Sequence, residues 1–270
     1  MFIVCDIGGT KTRLSCATNK ELVGETIVFP TEQDFEIEKI KLKEAVQKLS
    51  GTTTAELFIC GLPGALSIEK KELVNAPNLP LWEGRNIEEE LATLLTLPVS
   101  MLNDTALVGL GEAHFGAGRG YAIVAYVTVS TGVGGARIVN KKIDESVFGF
   151  EPGHQIIEGK DLESQIGGRA LKERLGRDPK EITDQGVWDG VAKKLALGLH
   201  NLTLLWSPEA IVLGGSMTLG TPGIPLATVS LTLKELLEVF PHPPALLLAE
   251  LGDKGGLWGG VAYYNQEKNA

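Results

Sequence analysis

The sequence predicts an α/β protein built from two related halves, and three observations carry that reading. A strand–turn–strand unit occurs twice. Phe2–Arg13 passes from an apolar strand through Gly8-Gly9-Thr10-Lys11 into a return strand, and Val127–Ile138 repeats the plan around Thr131-Gly132-Val133-Gly134-Gly135. Gly132 and Arg137 stand where Gly8 and Arg13 stand, at a common offset. Strand patterns then alternate with helical patterns through the second half, which argues for α/β layers.

Taken in order, Phe2–Asp6, Thr12–Ala17 and Leu22–Phe29 read as a meander of strands. Phe35–Leu49 carries Ile37, Ile40, Leu42, Val46 and Leu49 near helical spacing, so it is an amphipathic helix. Leu57–Cys60 is a buried strand that stops at Gly61-Leu62-Pro63-Gly64. Those punctuating residues form either a fixed ligand loop or a plain turn. Ile87–Leu95 is a helix, Val99–Leu102 a strand and Thr105–Phe115 a helix. Ala122–Val129 and Gly135–Val139 form the second hairpin, and Gly149–Glu163 is a polar loop. Helices are expected over Asp161–Leu175 and Ile182–Trp206, with Pro208 ending the second. Ile211–Leu213 is a strand running into Gly214-Gly215, Leu231–Phe240 a helix, Ala245–Leu251 a strand and Gly255–Tyr264 a terminal helix despite its glycines.

Composition narrows the function classes. The 270 residues are 43% hydrophobic and 22% charged, enough for one large domain or two modest ones. A net charge of −9 without a basic block speaks against a nucleic-acid or membrane-surface partner. Three cysteines, Cys5, Cys16 and Cys60, lack CxxC spacing and read as reduced, in a cytoplasmic protein. The N-terminus enters the first strand without a charged leader, and no apolar run is long enough to span a bilayer.

The chemistry concentrates at the glycine turns and strand ends. A Gly-rich turn exposes backbone N–H groups that can cradle phosphate oxygens, so Gly8, Gly9 and Thr10 form one candidate phosphate site. Thr131, Gly132 and Gly134 form a second. Asp6, closing the first strand, can hold Mg²⁺ through water. An ordinary Gly-Gly hairpin with a solvated Asp is the alternative, and Lys11 reads equally as a phosphate contact or an exposed hairpin charge. Asn103-Asp104 lies between a strand end and a helix start, where α/β folds place ligands; the alternative for Asp104 is a helix N-cap.

Asp6-Ile-Gly-Gly-Thr-Lys-Thr-Arg13 and Thr131-Gly-Val-Gly-Gly135 resemble the two phosphate motifs of the ROK family of sugar kinases and repressors. Gly61-Leu-Pro-Gly64, Pro77-Asn78-Leu79 with Trp82, Asn103-Asp104, Glu112–Gly118, Glu151-Pro-Gly-His154, Val212–Gly215 and Leu251–Asp253 extend the resemblance over nearly the whole chain. It implies two ribonuclease-H-like domains of the actin-like, sugar-kinase class around a cleft. The small domain would be residues 1–107 plus 255–270, and the large one 108–254. It further implies ATP with Mg²⁺, a homodimer, and phosphorylation of a hexose 6-hydroxyl, with glucose the foremost substrate. In that frame Asp104 is the general base, and Gly64, Asn78, Asn103, Glu151, His154 and Glu163 join it around the sugar. Gly214 and Gly215 flank the adenosine.

One departure stands out. Many members follow this histidine with a cysteine-rich knuckle that binds structural zinc, and Gln155–Leu162 contains no cysteine. Thiolate zinc sites need several Cys or His ligands, so no zinc is expected. The orientation of His154 is then left to other groups, and the equivalence of Glu163 to the family's post-knuckle Glu stays open. N-acetylhexosamine or mannose kinases, polyphosphate as donor, and a sugar-sensing regulator are the remaining alternatives. The last needs a DNA-binding domain, and no helix-turn-helix precedes the first strand here.

Overall fold

Phe2-Ile3-Val4-Cys5 is apolar on both sides of the pleat, so it forms a strand covered on both faces. Ile3, Cys5 and Ile7 pack among Phe35, Leu42 and Leu91, while Phe2 and Val4 pack against Leu257 and Val261. Each such side chain contributes about 1.5–3 kcal/mol on burial. The structure, a computed structural model, describes residues 1–51 and 54–268.

The first stretch runs β1 (Phe2–Ile7), β2 (Lys11–Ala17), β3 (Leu22–Pro30), α1 (Phe35–Ser50), β4 (Phe58–Leu62), β5 (Ala65–Leu66), β6 (Leu73–Asn75), α2 (Ile87–Leu95), β7 (Val99–Asn103) and α3 (Asp104–Phe115). The second runs β8 (Ile123–Val129), β9 (Val133–Val139), β10 (Lys142–Ile143), β11 (Ile156–Ile157), β12 (Lys160–Asp161), α4 (Leu162–Ile166), α5 (Gly168–Leu175), α6 (Gln185–Trp206), β13 (Ala210–Gly214), α7 (Ser216–Leu219), α8 (Leu226–Leu236) and β14 (Ala245–Leu248). Helix α9 (Gly255–Lys268) closes the chain.

Two five-stranded sheets result, ordered β3-β2-β1-β4-β7 and β10-β9-β8-β13-β14. In the first, β1, β4 and β7 are parallel and β1–β2–β3 antiparallel. In the second, β8, β13 and β14 are parallel and β8–β9–β10 antiparallel. The same ribonuclease-H-like order thus occurs twice, as the repeated hairpin led one to expect. The chain forms two compact units: Met1–Phe115 with Glu145–Gly149 and Asp253–Ala270, and Gly116–Asp144 with Phe150–Gly252. Helix α3 stays whole in the first unit, past the 107/108 division read from sequence, because it packs lengthwise on α9.

The repeat holds in topology and not residue for residue. Arg13 pairs with Asp6, directly behind its turn, and its guanidinium meets Asp253 at 3.1 Å. Arg137 pairs with Ala125, well back from the second turn, and bonds Asp144 and the Trp206 carbonyl. Two helices also differ from expectation. The one expected over Asp161–Leu175 breaks at Gly167, and the one expected over Leu231–Phe240 starts at Leu226, after Pro225, and stops at Leu236.

Candidate active site

In the first unit the candidate residues gather at the carboxyl ends of the three parallel strands, where α/β sheets bind ligands. Asp6 lies beside Gly61, and Leu62 beside Asn103, in neighbouring ladders. Asp6 packs against the N-terminal turn of α9, where a Cβ on Gly256 would lie 2.6 Å from its Cγ. Burial pushes the Asp6 carboxyl up to about 6; Arg13 acts against that and Asp253 adds to it. The Gly8 N–H bonds the Lys11 carbonyl at 2.9 Å and closes the first turn. Thr10 and Lys11 are exposed.

Close approaches bring Asn78 to this turn and the other candidate residues of the unit to one another. A Cβ on Gly9 would sit 2.8 Å from the Asn78 Cβ, so glycine lets the Asn78 loop lie against the turn. Gly64 has φ +105°, and a Cβ there would collide with the Asn75 carbonyl. Its own carbonyl accepts the Asn103 side-chain amide at 3.1 Å. Gly61 admits the Asp104 backbone, since a Cβ there would lie only 3.1 Å from the Asp104 Cα.

Asn103 Oδ1 accepts the Ala106 N–H at 2.9 Å and so performs the N-cap function for α3. Asp104 is the first residue of the helix, its Oδ1 accepting the Thr105 N–H at 2.6 Å. A carboxylate in a first helical turn is favoured by the helix dipole.

In the second unit the turn joining β8 to β9 is closed by Ser130 N–H to the Gly132 carbonyl at 2.8 Å. The Glu151–His154 loop lies on β9: a Cβ on Gly135 would come 2.5 Å from Pro152, and one on Gly153 would strike the Val133 carbonyl. Glu163, in the first turn of α4, accepts the Val133 N–H at 2.7 Å and leaves no room for a side chain at Gly132. The structure therefore ties Glu163 to the second glycine turn.

His154 Nδ1 meets Asp161 Oδ2 at 2.7 Å, while Asp161 Oδ1 caps α4 through the Ser164 N–H at 3.0 Å. That hydrogen bond raises the His154 pKa above the ordinary imidazole value, against desolvation, and the charges of Asp161, Glu163 and Glu151 add to it. Desolvation raises Glu151, with His154 pulling it down and Glu163 pushing it up. Glu151, His154 and Glu163 thus share one electrostatic neighbourhood. The group that orients His154 is Asp161, a residue the sequence reading passed over although its helix-capping position was legible.

Gly167 and Gly168 were also missed. The Gly168 and Arg169 N–H groups, at the start of α5, bond the Ser130 and Thr131 carbonyls at 2.7 and 3.0 Å. The Gly-Gly pair inside an expected helix was the signal. Gly214 and Gly215 cross the end of β8; Gly215 has φ +93°, and a Cβ there would collide with the Val129 carbonyl. Cys5, Cys16 and Cys60 are buried in the first unit, on β1, β2 and β4. Among the described residues, no group of three or more His, Cys, Asp or Glu side chains is arranged to hold a metal ion.

Fold and strand-end sites define an α/β protein of the actin-like, ribonuclease-H-like class. The chain belongs to the ROK family, whose model matches residues 2–267. A ROK hexokinase from Thermus thermophilus shares 25% identity with a TM-score of 0.84, over 100% of this chain and 99% of that one. A ROK family glucokinase from Streptomyces griseus, in complex with glucose and AMPPNP, shares 26% identity with a TM-score of 0.81, over 97% and 98%. A glucokinase from Streptomyces coelicolor is 25% identical over 94% of each chain.

Proposed function

We propose that this protein is an ATP-dependent hexose kinase acting on the 6-hydroxyl of glucose. The observation that carries the reading is the pair at the end of β7. Asn103 takes the capping role, and Asp104 is held beside Gly61 in the same unit as the Gly8–Thr10 turn and Asn78. The glucose and AMPPNP bound by the Streptomyces griseus relative support both substrates.

A sugar hydroxyl is a weak nucleophile. In the proposed reaction Asp104 accepts the 6-hydroxyl proton as its oxygen bonds to the γ-phosphorus and the bond from that phosphorus to the ADP oxygen breaks. Such general-base assistance is worth about 10²–10⁴-fold. The N–H groups of Gly9 and Thr10 in the first turn and of Thr131 and Gly132 in the second bind phosphate oxygens, with Gly8 and Gly134 shaping those turns and Lys11 adding charge. Gly214 and Gly215 receive the adenosine side. Asn78, Asn103, Glu151, His154 and Glu163 bind sugar hydroxyls, which explains the shared neighbourhood of the last three.

Asp6 fits a hard cation: it is an oxygen donor at a strand end, in a setting where two carboxylates outnumber the one guanidinium of Arg13. Mg²⁺ prefers one or two carboxylates completed by phosphate and water. When bound there it neutralises phosphate charge. Thiolate zinc is not part of the proposal, since His154 is held by Asp161 and the cysteines lie in the other unit's core.

The test is a coupled ADP-release assay with ATP and Mg²⁺ over glucose, mannose, fructose and N-acetylmannosamine, with sugar-phosphate formation as the readout of a polyphosphate arm, which yields no ADP. Turnover highest on glucose with ATP is expected. No turnover on any hexose would overturn the reading, and preference for another sugar would overturn the choice of glucose.

A further inference from the structure

We propose that Glu38 is a positioning residue that acts through Thr12 and Thr31 to aim the first glycine turn. Its consequence for nucleotide binding rests on the phosphate role proposed above for that turn; the positioning itself does not.

Glu38 lies on α1 and is 0% exposed, as is Thr12 on β2. A carboxylate so placed requires donors, because an unpaired buried acceptor is costly. It has two. The Thr12 hydroxyl donates to Oε1 at 2.6 Å, and the Glu32 N–H donates to Oε2 at 2.8 Å. The Thr12 hydroxyl oxygen is in turn 2.9 Å from that of Thr31. The Thr31 hydroxyl donates to the Gly8 carbonyl at 2.8 Å, and the Thr31 N–H donates to the Thr10 carbonyl at 3.2 Å.

A carbonyl and the following N–H share one peptide plane. Holding the Gly8 carbonyl therefore fixes the direction of the Gly9 N–H, and holding the Thr10 carbonyl fixes that of Lys11. Thr31 holds both carbonyls from the inner side of the turn. Glu38 fixes Thr31 in turn by holding the N–H of the Thr31–Glu32 peptide, and by holding Thr12, whose oxygen rests against that of Thr31 as a close contact because both hydroxyl protons are already given away. Preorganised donors of this kind need no rearrangement when an anion arrives. An apolar residue at position 38 would pack between α1 and the sheet, where Leu42 already does, but could not hold these donors.

The experiment compares wild type with Thr31→Val, Glu38→Leu and Glu38→Gln. Amide hydrogen exchange is read in nucleotide-free protein at Gly8 and Thr31, the two turn amides with carbonyl partners. Affinities are read for AMPPNP with Mg²⁺ and for glucose. Loss of one hydrogen bond of this kind corresponds to about a two- to tenfold change. Thr31→Val and Glu38→Leu should speed exchange at Gly8 and Thr31 by about that factor. They should weaken AMPPNP by a similar factor and leave glucose affinity within about twofold. Glu38→Gln keeps an acceptor and should restore both readouts toward wild type. Unchanged exchange at Gly8 in Thr31→Val would overturn the proposal, as would equal losses for AMPPNP and glucose. Faster exchange with unchanged AMPPNP affinity would uphold the positioning and remove the phosphate role of the turn. Should Glu38→Leu fail to fold, Thr31→Val, which deletes one partly exposed hydroxyl, carries the test.

Discussion

Asp104 and His154 are the two side chains on which the proposed chemistry turns, and each has a neighbour that makes its role testable. Because Asn103 supplies the cap of α3, Asp104→Asn should keep Tm within about 2 °C and glucose KM near wild type. Its kcat should fall about 10²–10⁴-fold. A variant with near-normal turnover would return Asp104 to a structural role. His154 is raised by Asp161, so an NMR titration should place its pKa above the ordinary imidazole value, and Asp161→Asn should lower it. Since the folded value is the raised one, the pair's contribution to stability is present at low pH and lost as pH rises through the folded pKa. His154→Ala should raise the glucose KM about tenfold, the cost of leaving one sugar hydroxyl without its partner, with ATP KM nearly unchanged. Equal increases in both KM values would show that the loop supports the fold of its unit and does not read the sugar.

At the scale of elements, the glycines of α9 explain why so poor a helix former ends the chain as a helix. A Cβ on Gly259 would drive into the Leu107 carbonyl, and one on Gly111 of α3 would lie 2.5 Å from the Gly255 carbonyl and 2.8 Å from the Gly259 nitrogen. The two helices lie backbone to backbone, which the loss of helix propensity, about 1 kcal/mol per glycine, does not prevent. Gly259→Ala should therefore lower Tm, since backbone must move; overpacking of about 1–3 kcal/mol corresponds to roughly 2–12 °C in a chain of this size. Gly190→Ala, on α6 with open space around it, should leave Tm unchanged or higher. Calorimetry on both variants decides, and an unaffected Gly259→Ala would mean that α3 and α9 yield freely.

For the whole molecule the prediction concerns ions and ligands. Elemental analysis of purified protein should find less than a tenth of an equivalent of zinc, and a chelator should leave Tm unchanged. AMPPNP should raise Tm only with Mg²⁺ present, by about 2.7 kcal/mol of added stability at a hundredfold excess over Kd. One tight zinc per chain would contradict the reading of His154 as held by Asp161 alone. AMPPNP stabilisation that ignores Mg²⁺ would remove the role given to Asp6.

How much of this was legible in the sequence depends on the range of the interactions. Strand periodicity, glycine turns and capping residues act within a few positions, so the two hairpins, the strand end at Asn103-Asp104 and the helix over Ile87–Leu95 could be read directly, and with them the α/β class; the family was legible through the resemblance of the glycine-turn and strand-end motifs. Contacts between residues distant in the chain could not. Periodicity does not say that Glu38 reaches Thr12, that Asp161 takes the imidazole of His154, that Glu163 holds the Val133 N–H, or that Asn103 and not Asp104 caps α3. Nor does it show that Arg13 and Arg137, matched in sequence, occupy different rungs of their ladders. Local chemistry determined which elements form and where turns expose their amides; only packing decided which buried group each polar atom would find, because that depends on which strands and helices become neighbours.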